Sequence, residues 1–90
     1  MRILTLNLKR LYFDEIRSLT KSFEYRLCTP YWKKRLENQV FDEIVIKLGY
    51  PKSSEESKIL RRPWRGMEIQ TITHPFFGPE PVTVYAIRVN

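Results

Sequence analysis

Apolar and polar residues change period several times along the chain, and each change marks an element. In "ILTLNL", Leu4, Leu6 and Leu8 alternate with Thr5 and Asn7, the period of a half-buried strand. From Lys9 the spacing turns helical. Leu8, Tyr12, Phe13, Ile16 and Leu19 form a stripe, with Asp14, Glu15 and Arg17 off it. This predicts a helix of about ten residues, its carboxylates early and its arginine late, as the helix dipole prefers. "SFEYRLC" alternates again: Phe23, Tyr25 and Leu27 share one face, and Ser22, Glu24, Arg26 and Cys28 the other. Thr29-Pro30 reads as an N-cap with proline at the first helical position. A short helix through "YWKKRLE" follows.

"FDEIVIKL" predicts a third strand, with Phe41, Glu43, Val45 and Lys47 on one face and Asp42, Ile44, Ile46 and Leu48 on the other. Gly49-Tyr50-Pro51 ends it in a turn. "KSSEESKILRRPWRG" holds no sustained period. It reads as a long loop with a helical turn near Ser54 to Ile59, and loops of this length are often functional. "MEIQTITH" predicts a fourth strand. "PFFGPEP" reads as a rigid connection in which Phe76 and Phe77 close one end of the fold. "VTVYAIRV" is apolar on both faces, the mark of a well-buried strand. The expected order is β-α-β-α-β-loop-β-β. It predicts an α+β fold: a small mixed barrel of about five strands with two short helices, one domain over residues 1–90.

Composition narrows the function. A 90-residue chain that is 42% hydrophobic can build one modest core and is not of disordered type. Sixteen Lys and Arg against ten Asp and Glu give a net charge of +6, which favours a polyanionic partner, nucleic acid before a membrane surface. The single cysteine, Cys28, excludes an internal disulfide and a cysteine metal cluster, and is expected as a small buried hydrophobe. The single histidine, His74, precedes Pro75 and reads as structural. No metal and no cofactor is expected. "MRILTLNLKR" lacks the continuous apolar core of a secretory signal, and no apolar run is long enough to span a bilayer. The cytoplasm is the expected location.

Chemistry concentrates in "TKSFEYR", where Lys21, Glu24 and Arg26 are interleaved with Phe23 and Tyr25. In an extended strand Glu24 and Arg26 point the same way, about 7 Å apart. Strict alternation sends Lys21 to the opposite face, unless a turn or bulge at Thr20-Lys21 brings it round. Spacing alone favours a solvated charged face over a site, since surface charges commonly serve only solubility.

The strand "LTLNL", the helix with "YFDEI", the order Ser18-x-x-Lys21-x-x-Glu24-x-Arg26, then "PYWKKRL" and "FDEIVIKLGY" resemble an ASCH domain, a family within the PUA-like superfamily. The resemblance covers about residues 1–50. In that family a glycine usually stands between helix and lysine, where this chain has Leu19-Thr20. The resemblance implies a β-barrel beside a positively charged cleft and binding of single-stranded RNA. Some members cleave RNA, and one branch deacylates N4-acetylcytidine with a lysine and a threonine three residues later. Here the lysine position is Lys21, but the threonine position is Glu24. Glutamate cannot repeat a hydroxyl attack, although it can activate a water.

A metal-free ribonuclease needs a base for the 2'-hydroxyl, an acid for the leaving oxygen and cations on the phosphorane. Glu24 is the candidate base. Lys21 and Arg26 are candidate phosphate clamps, and Lys21 is also the candidate acid. Two further stretches mix rings and cations. "PYWKKR" sets Tyr31 and Trp32 beside Lys33, Lys34 and Arg35, and "RRPWRG" sets Trp64 among Arg61, Arg62 and Arg65. Stacking on rings together with phosphate neutralisation is how single strands are commonly held. Trp32 reads equally as core of a short amphipathic helix. Trp64, in the expected loop, reads as ligand-facing ahead of a core plug. Tyr50 joins the candidate nucleic-acid-binding set if its turn folds inward. The leading expectation is a single-stranded RNA-binding domain with endoribonuclease activity as a further step. The rivals are an amidohydrolase on a modified nucleoside and a protein adaptor.

Overall fold

The computed structural model describes residues Met1–Asn90. It has six strands in two three-stranded sheets and two α-helices. In chain order these are β1 (Ile3–Leu8), α1 (Arg10–Arg17), β2 (Phe23–Leu27), α2 (Pro30–Leu36), β3 (Glu43–Leu48), β4 (Ile59–Pro63), β5 (Met67–His74) and β6 (Gly78–Arg88), with 3-10 turns at Glu56–Lys58 and Pro75–Phe77. One sheet has the order β1-β3-β4, with β1 and β3 parallel and β4 antiparallel to β3. The other has the order β2-β6-β5, antiparallel throughout.

The alternation in β1 buries Leu4, Leu6 and Leu8. They meet Phe13 and Ile16 of α1, Ile44 and Ile46 of β3, and Tyr85 and Ile87 of β6 in one cluster fed by both sheets. Each such side chain stabilises the fold by roughly 1.5–3 kcal/mol. The central strand β6 buries Val84, Tyr85, Ala86 and Ile87 in succession, as its two-faced apolar pattern requires. Thr29 caps α2 by accepting from the Trp32 N–H, with Pro30 at the first helical position. The Tyr85 hydroxyl donates to Glu37, just beyond α2. That bond ties helix to sheet and, with burial, raises the Tyr85 pKa above its ordinary value.

Four sequence expectations are corrected. First, residues 59–63 are not loop but edge strand β4, paired with β3 from Ile59↔Lys47 to Pro63↔Glu43. Its apolar signal is short because one face is solvated, and Pro63 is tolerated because an edge strand needs no donor there. Second, Gly78–Pro81 belongs to β6 rather than to a connection; it follows a register shift between Ile72 and His74. Third, Cys28 is exposed, because β2 stops at Leu27 and Cys28 leads into the cap of α2. Fourth, α1 begins at Arg10, so its carboxylates fall in its second half. Leu19 lies beyond the helix with φ 66° and is 70% exposed.

Candidate nucleic-acid interface

The end of α1 determines where Lys21 goes. The Thr20 N–H donates to the Glu15 carbonyl at 3.0 Å and the Leu19 N–H to the Ile16 carbonyl at 3.1 Å. With Leu19 in the left-handed region, this is the Schellman closure, in which that position normally takes glycine. The chain reverses before β2 begins at Phe23, so strand alternation does not govern Lys21. Asn90 fixes the turn from the other side: its amide donates to the carbonyls of Ile16 at 3.0 Å and Lys21 at 2.6 Å. Arg62 in turn donates to Asn90 Oδ1 at 3.1 Å.

Lys21 therefore meets the β2 carboxylate. Lys21 Nζ lies 3.1 Å from Glu24 Oε1, and Arg26 Nη1 lies 2.5 Å from Glu24 Oε2. Glu24 is 4% exposed, the one buried charged residue of the fold. Burial of a carboxylate is tolerated because both of its oxygens face cations. The face of β2 with the charges is thus the inner one at Glu24, while Phe23, Tyr25 and Leu27 are half-exposed. Arg26 also donates to the carbonyls of Tyr25 at 3.0 Å and Asn7 at 3.4 Å, which bridges the two sheets.

This ion pair network opens into a cleft of about 630 Å³, within the range of small-ligand sites. The cleft has two aromatic walls. On one side Tyr12, Tyr25 and Phe77 surround His74 at ring separations of 5.7, 6.2 and 5.9 Å, and Phe76 stands edge-on to Tyr12 at 6.1 Å. On the other, Trp32 lies 5.3 Å from the Arg26 guanidinium and 5.1 Å from Tyr31. Lys21 Nζ sits 4.4 Å from the Tyr12 ring centre and 5.4 Å from that of Tyr25. Such cation–ring contacts hold an ammonium without neutralising it.

No family model, curated protein or solved structure matches the chain.

Of the residues singled out in the sequence, Lys21, Glu24, Arg26, Tyr31, Trp32 and Tyr50 line this cleft. Tyr50 reaches it because Gly49, at φ 62°, turns the chain after β3, and Asn7 holds the turn through a 2.7 Å bond to the Gly49 carbonyl. Lys33 is exposed on α2 outside the cleft. Arg61, Arg62, Trp64 and Arg65 are also outside it. Arg61 pairs with Glu43 at 2.9 Å on the β3–β4 surface. Trp64 packs edge-on against Phe41 at 5.1 Å and belongs to the margin of the core, a correction of its expected ligand-facing role. The reason is β4, which sends Leu60, Arg62 and Trp64 to one face. Arg62 acts there through Asn90, and Arg65 borders a separate depression with Arg88 and Glu68.

Sequence reading missed Asn7, Lys9, Tyr12 and His74, which also line the cleft. His74 Nδ1 accepts the Phe76 N–H at 3.1 Å, so in the neutral ring the proton sits on Nε2. The end of a strand at His74 was legible, but the approach of His74 to Tyr12 is a tertiary event without a local signal. Phe76 and Phe77, expected as a clasp, form part of the cleft wall. The chain gathers no group of three or more His, Cys, Asp and Glu side chains of the kind that hold a metal ion, and no helix is long and apolar enough to cross a membrane.

Proposed function

We propose that this chain is an ASCH-type domain that binds single-stranded RNA by seating a base in the aromatic cleft above Lys21, Glu24 and Arg26. The two open sheets are read as the halves of that family's small PUA-like barrel. One observation carries the reading: a lysine and an arginine converge on one buried carboxylate, at 3.1 and 2.5 Å, on the floor of a cleft walled by rings. The rings supply stacking surfaces, each worth about 1–3 kcal/mol per base. The cations supply contacts for phosphate or for carbonyl oxygens of a base. Glu24 holds those cations in place in the free protein.

Cleavage is the further step of the same reading. Both Glu24 oxygens are engaged, so Glu24 becomes a base only when a phosphate draws Lys21 or Arg26 toward itself. The freed oxygen then takes the 2'-hydroxyl proton, and the displaced cation remains on the phosphorane. Lys21 is the candidate for delivering a proton to the leaving 5'-oxygen, and the Nε2–H of His74 can donate a hydrogen bond to a phosphate oxygen.

A second reading, hydrolysis of an acyl group from a modified nucleoside, is favoured by one observation. Arg61, Arg62 and Arg65 lie outside the cleft, so the basic stretch does not extend it into a long groove. In that chemistry Glu24 activates a water in place of a hydroxyl nucleophile.

Incubation with labelled single-stranded RNA, double-stranded RNA and single-stranded DNA, with and without a chelator, tests the proposal. The expected result is retention of single-stranded RNA, with any cleavage unaffected by chelator. Turnover of N4-acetylcytidine without affinity for RNA supports the second reading. Neither binding nor turnover contradicts both.

A further inference from the structure

Resting on that reading, the rim of the cleft specifies which part of a strand it takes. Each aromatic wall ends in an exposed ring that carries a cation. On one wall Phe76 is 56% exposed, and Lys9 Nζ lies 5.0 Å from its ring centre. On the other, Tyr31 is 55% exposed, and the Arg35 guanidinium lies 3.4 Å from its ring centre. Arg35 is held there by a 3.1 Å bond to the Tyr31 carbonyl, one helical turn back along α2.

Neither Lys9 nor Arg35 makes a salt bridge. This separates them from Lys21 and Arg26, which Glu24 already engages, and from Arg61, which pairs with Glu43. Glu24 is also the only carboxylate that lines the cleft. Lys9 lines the cleft and Arg35 lies just outside that lining on the Tyr31 ring, so each wall carries one uncompensated cation fixed on a ring. A free nucleoside uses neither. A terminal nucleotide uses one. A nucleotide inside a strand carries a phosphate on each side and uses both.

We infer that the cleft seats an internal nucleotide of a single strand, with Lys9 holding the phosphate on one side and Arg35 the phosphate on the other. The strand contacts the protein over about three nucleotides, short for a single-strand site, and then leaves it. The ligand class is an oligonucleotide with an unpaired base between two phosphodiesters, because a base in a duplex cannot enter.

Titration of the purified chain with uridine, uridine 3',5'-bisphosphate, a uridine trimer and a uridine oligomer of ~10 nucleotides tests this, with the adenosine series in parallel. Affinity is expected to rise from nucleoside to bisphosphate, to be nearly complete at the trimer, and to gain only the statistical factor of several registers in the longer oligomer. Two phosphate contacts to a single strand predict a slope of log affinity against log salt of about −1.4. Lys9→Ala and Arg35→Ala should each reduce that slope by about 0.7 and weaken the trimer more than uridine. Both positions are exposed, so a melting curve beside each titration reads retention of the fold. Arg61→Ala and Arg65→Ala should change none of these values.

Equal affinity for uridine and its bisphosphate overturns the inference, as does an unchanged slope in the Lys9→Ala/Arg35→Ala double variant. Loss of affinity in Arg61→Ala or Arg65→Ala moves the strand to the other basic surface and also overturns it. Failure of the wild-type chain to bind any member of either series contradicts the underlying RNA reading itself, a result distinct from binding that ignores phosphate.

Discussion

Lys21 shows how one residue's place is set by its neighbours. Its backbone is held by Asn90, and its ammonium by Glu24 and the rings of Tyr12 and Tyr25. Lys21→Ala is expected to lower RNA affinity by about 1.5–3 kcal/mol, the usual size of a hydrogen bond to a charged group. Stability should fall by about 1–2 kcal/mol, because Glu24 keeps Arg26 but loses its other partner. Lys21→Arg should keep more binding than cleavage, since arginine retains charge but does not give up its proton. Anisotropy and thermal melting on the same samples check both. A folded Lys21→Ala protein with wild-type affinity would sink the site. Leu19 provides a test of the turn that delivers Lys21. At φ 66° a leucine carries a left-handed penalty of roughly 1–2 kcal/mol. Leu19→Gly removes it at the smaller cost of added freedom in the unfolded chain. The expected outcome is a melting temperature a few degrees higher, since about 1 kcal/mol shifts a domain of this size by about 4–8 °C. A lower melting temperature would show that the exposed leucine contributes contacts the turn needs.

At the scale of elements, legibility followed how local each signal was. β1, α2 and the buried part of β6 were readable because period two, an N-cap with proline and a two-faced apolar run are written within a few residues. β4 was not, because "ILRRP" becomes a strand only by pairing with β3. Once it is a strand, Trp64 follows Leu60 onto the core side. Trp64→Ala should therefore destabilise the chain by about 2–3 kcal/mol, somewhat less than loss of a fully buried aromatic, and leave RNA affinity of the folded fraction unchanged. Denaturant unfolding and anisotropy together measure this. Loss of affinity without loss of stability would restore the loop reading. The charged motif was legible in order and spacing, as Lys21, Glu24 and Arg26. The rings around it were not, since Tyr12 and His74 come from α1 and the end of β5 and meet only in the fold. The contact between α2 and β6 has its own signature. Tyr85 is raised above its ordinary pKa by its bond to Glu37 and by burial, so the folded state favours its protonated form. Its contribution is complete below pH 10, the ordinary tyrosine value, and is lost as pH climbs above it. Melting temperature should fall through that alkaline range in the wild type and fall less in Tyr85→Phe. Parallel curves would mean that the hydroxyl of Tyr85 does not stabilise the fold.

For the whole molecule, net charge is a poor guide to where a partner docks. The +6 balance is spread over surfaces of different use. Arg61 is paired on the β3–β4 side, Arg62 holds Asn90, and Lys21 and Arg26 share Glu24 inside the cleft. Lys9 and Arg35 ride on rings that belong to its walls. The rings and cations of the candidate site therefore gather where the two sheets meet, although the basic stretch with Arg61, Arg62 and Arg65 lies elsewhere. The most direct measurement is a two-dimensional NMR titration of the labelled chain with a short single-stranded RNA. Resonances of Lys21, Arg26, Trp32 and His74 should move together and saturate at one equivalent of bound strand, while those of Arg61, Trp64 and Arg65 stay in place. Shifts confined to Arg61, Trp64 and Arg65, with the cleft silent, would contradict the account.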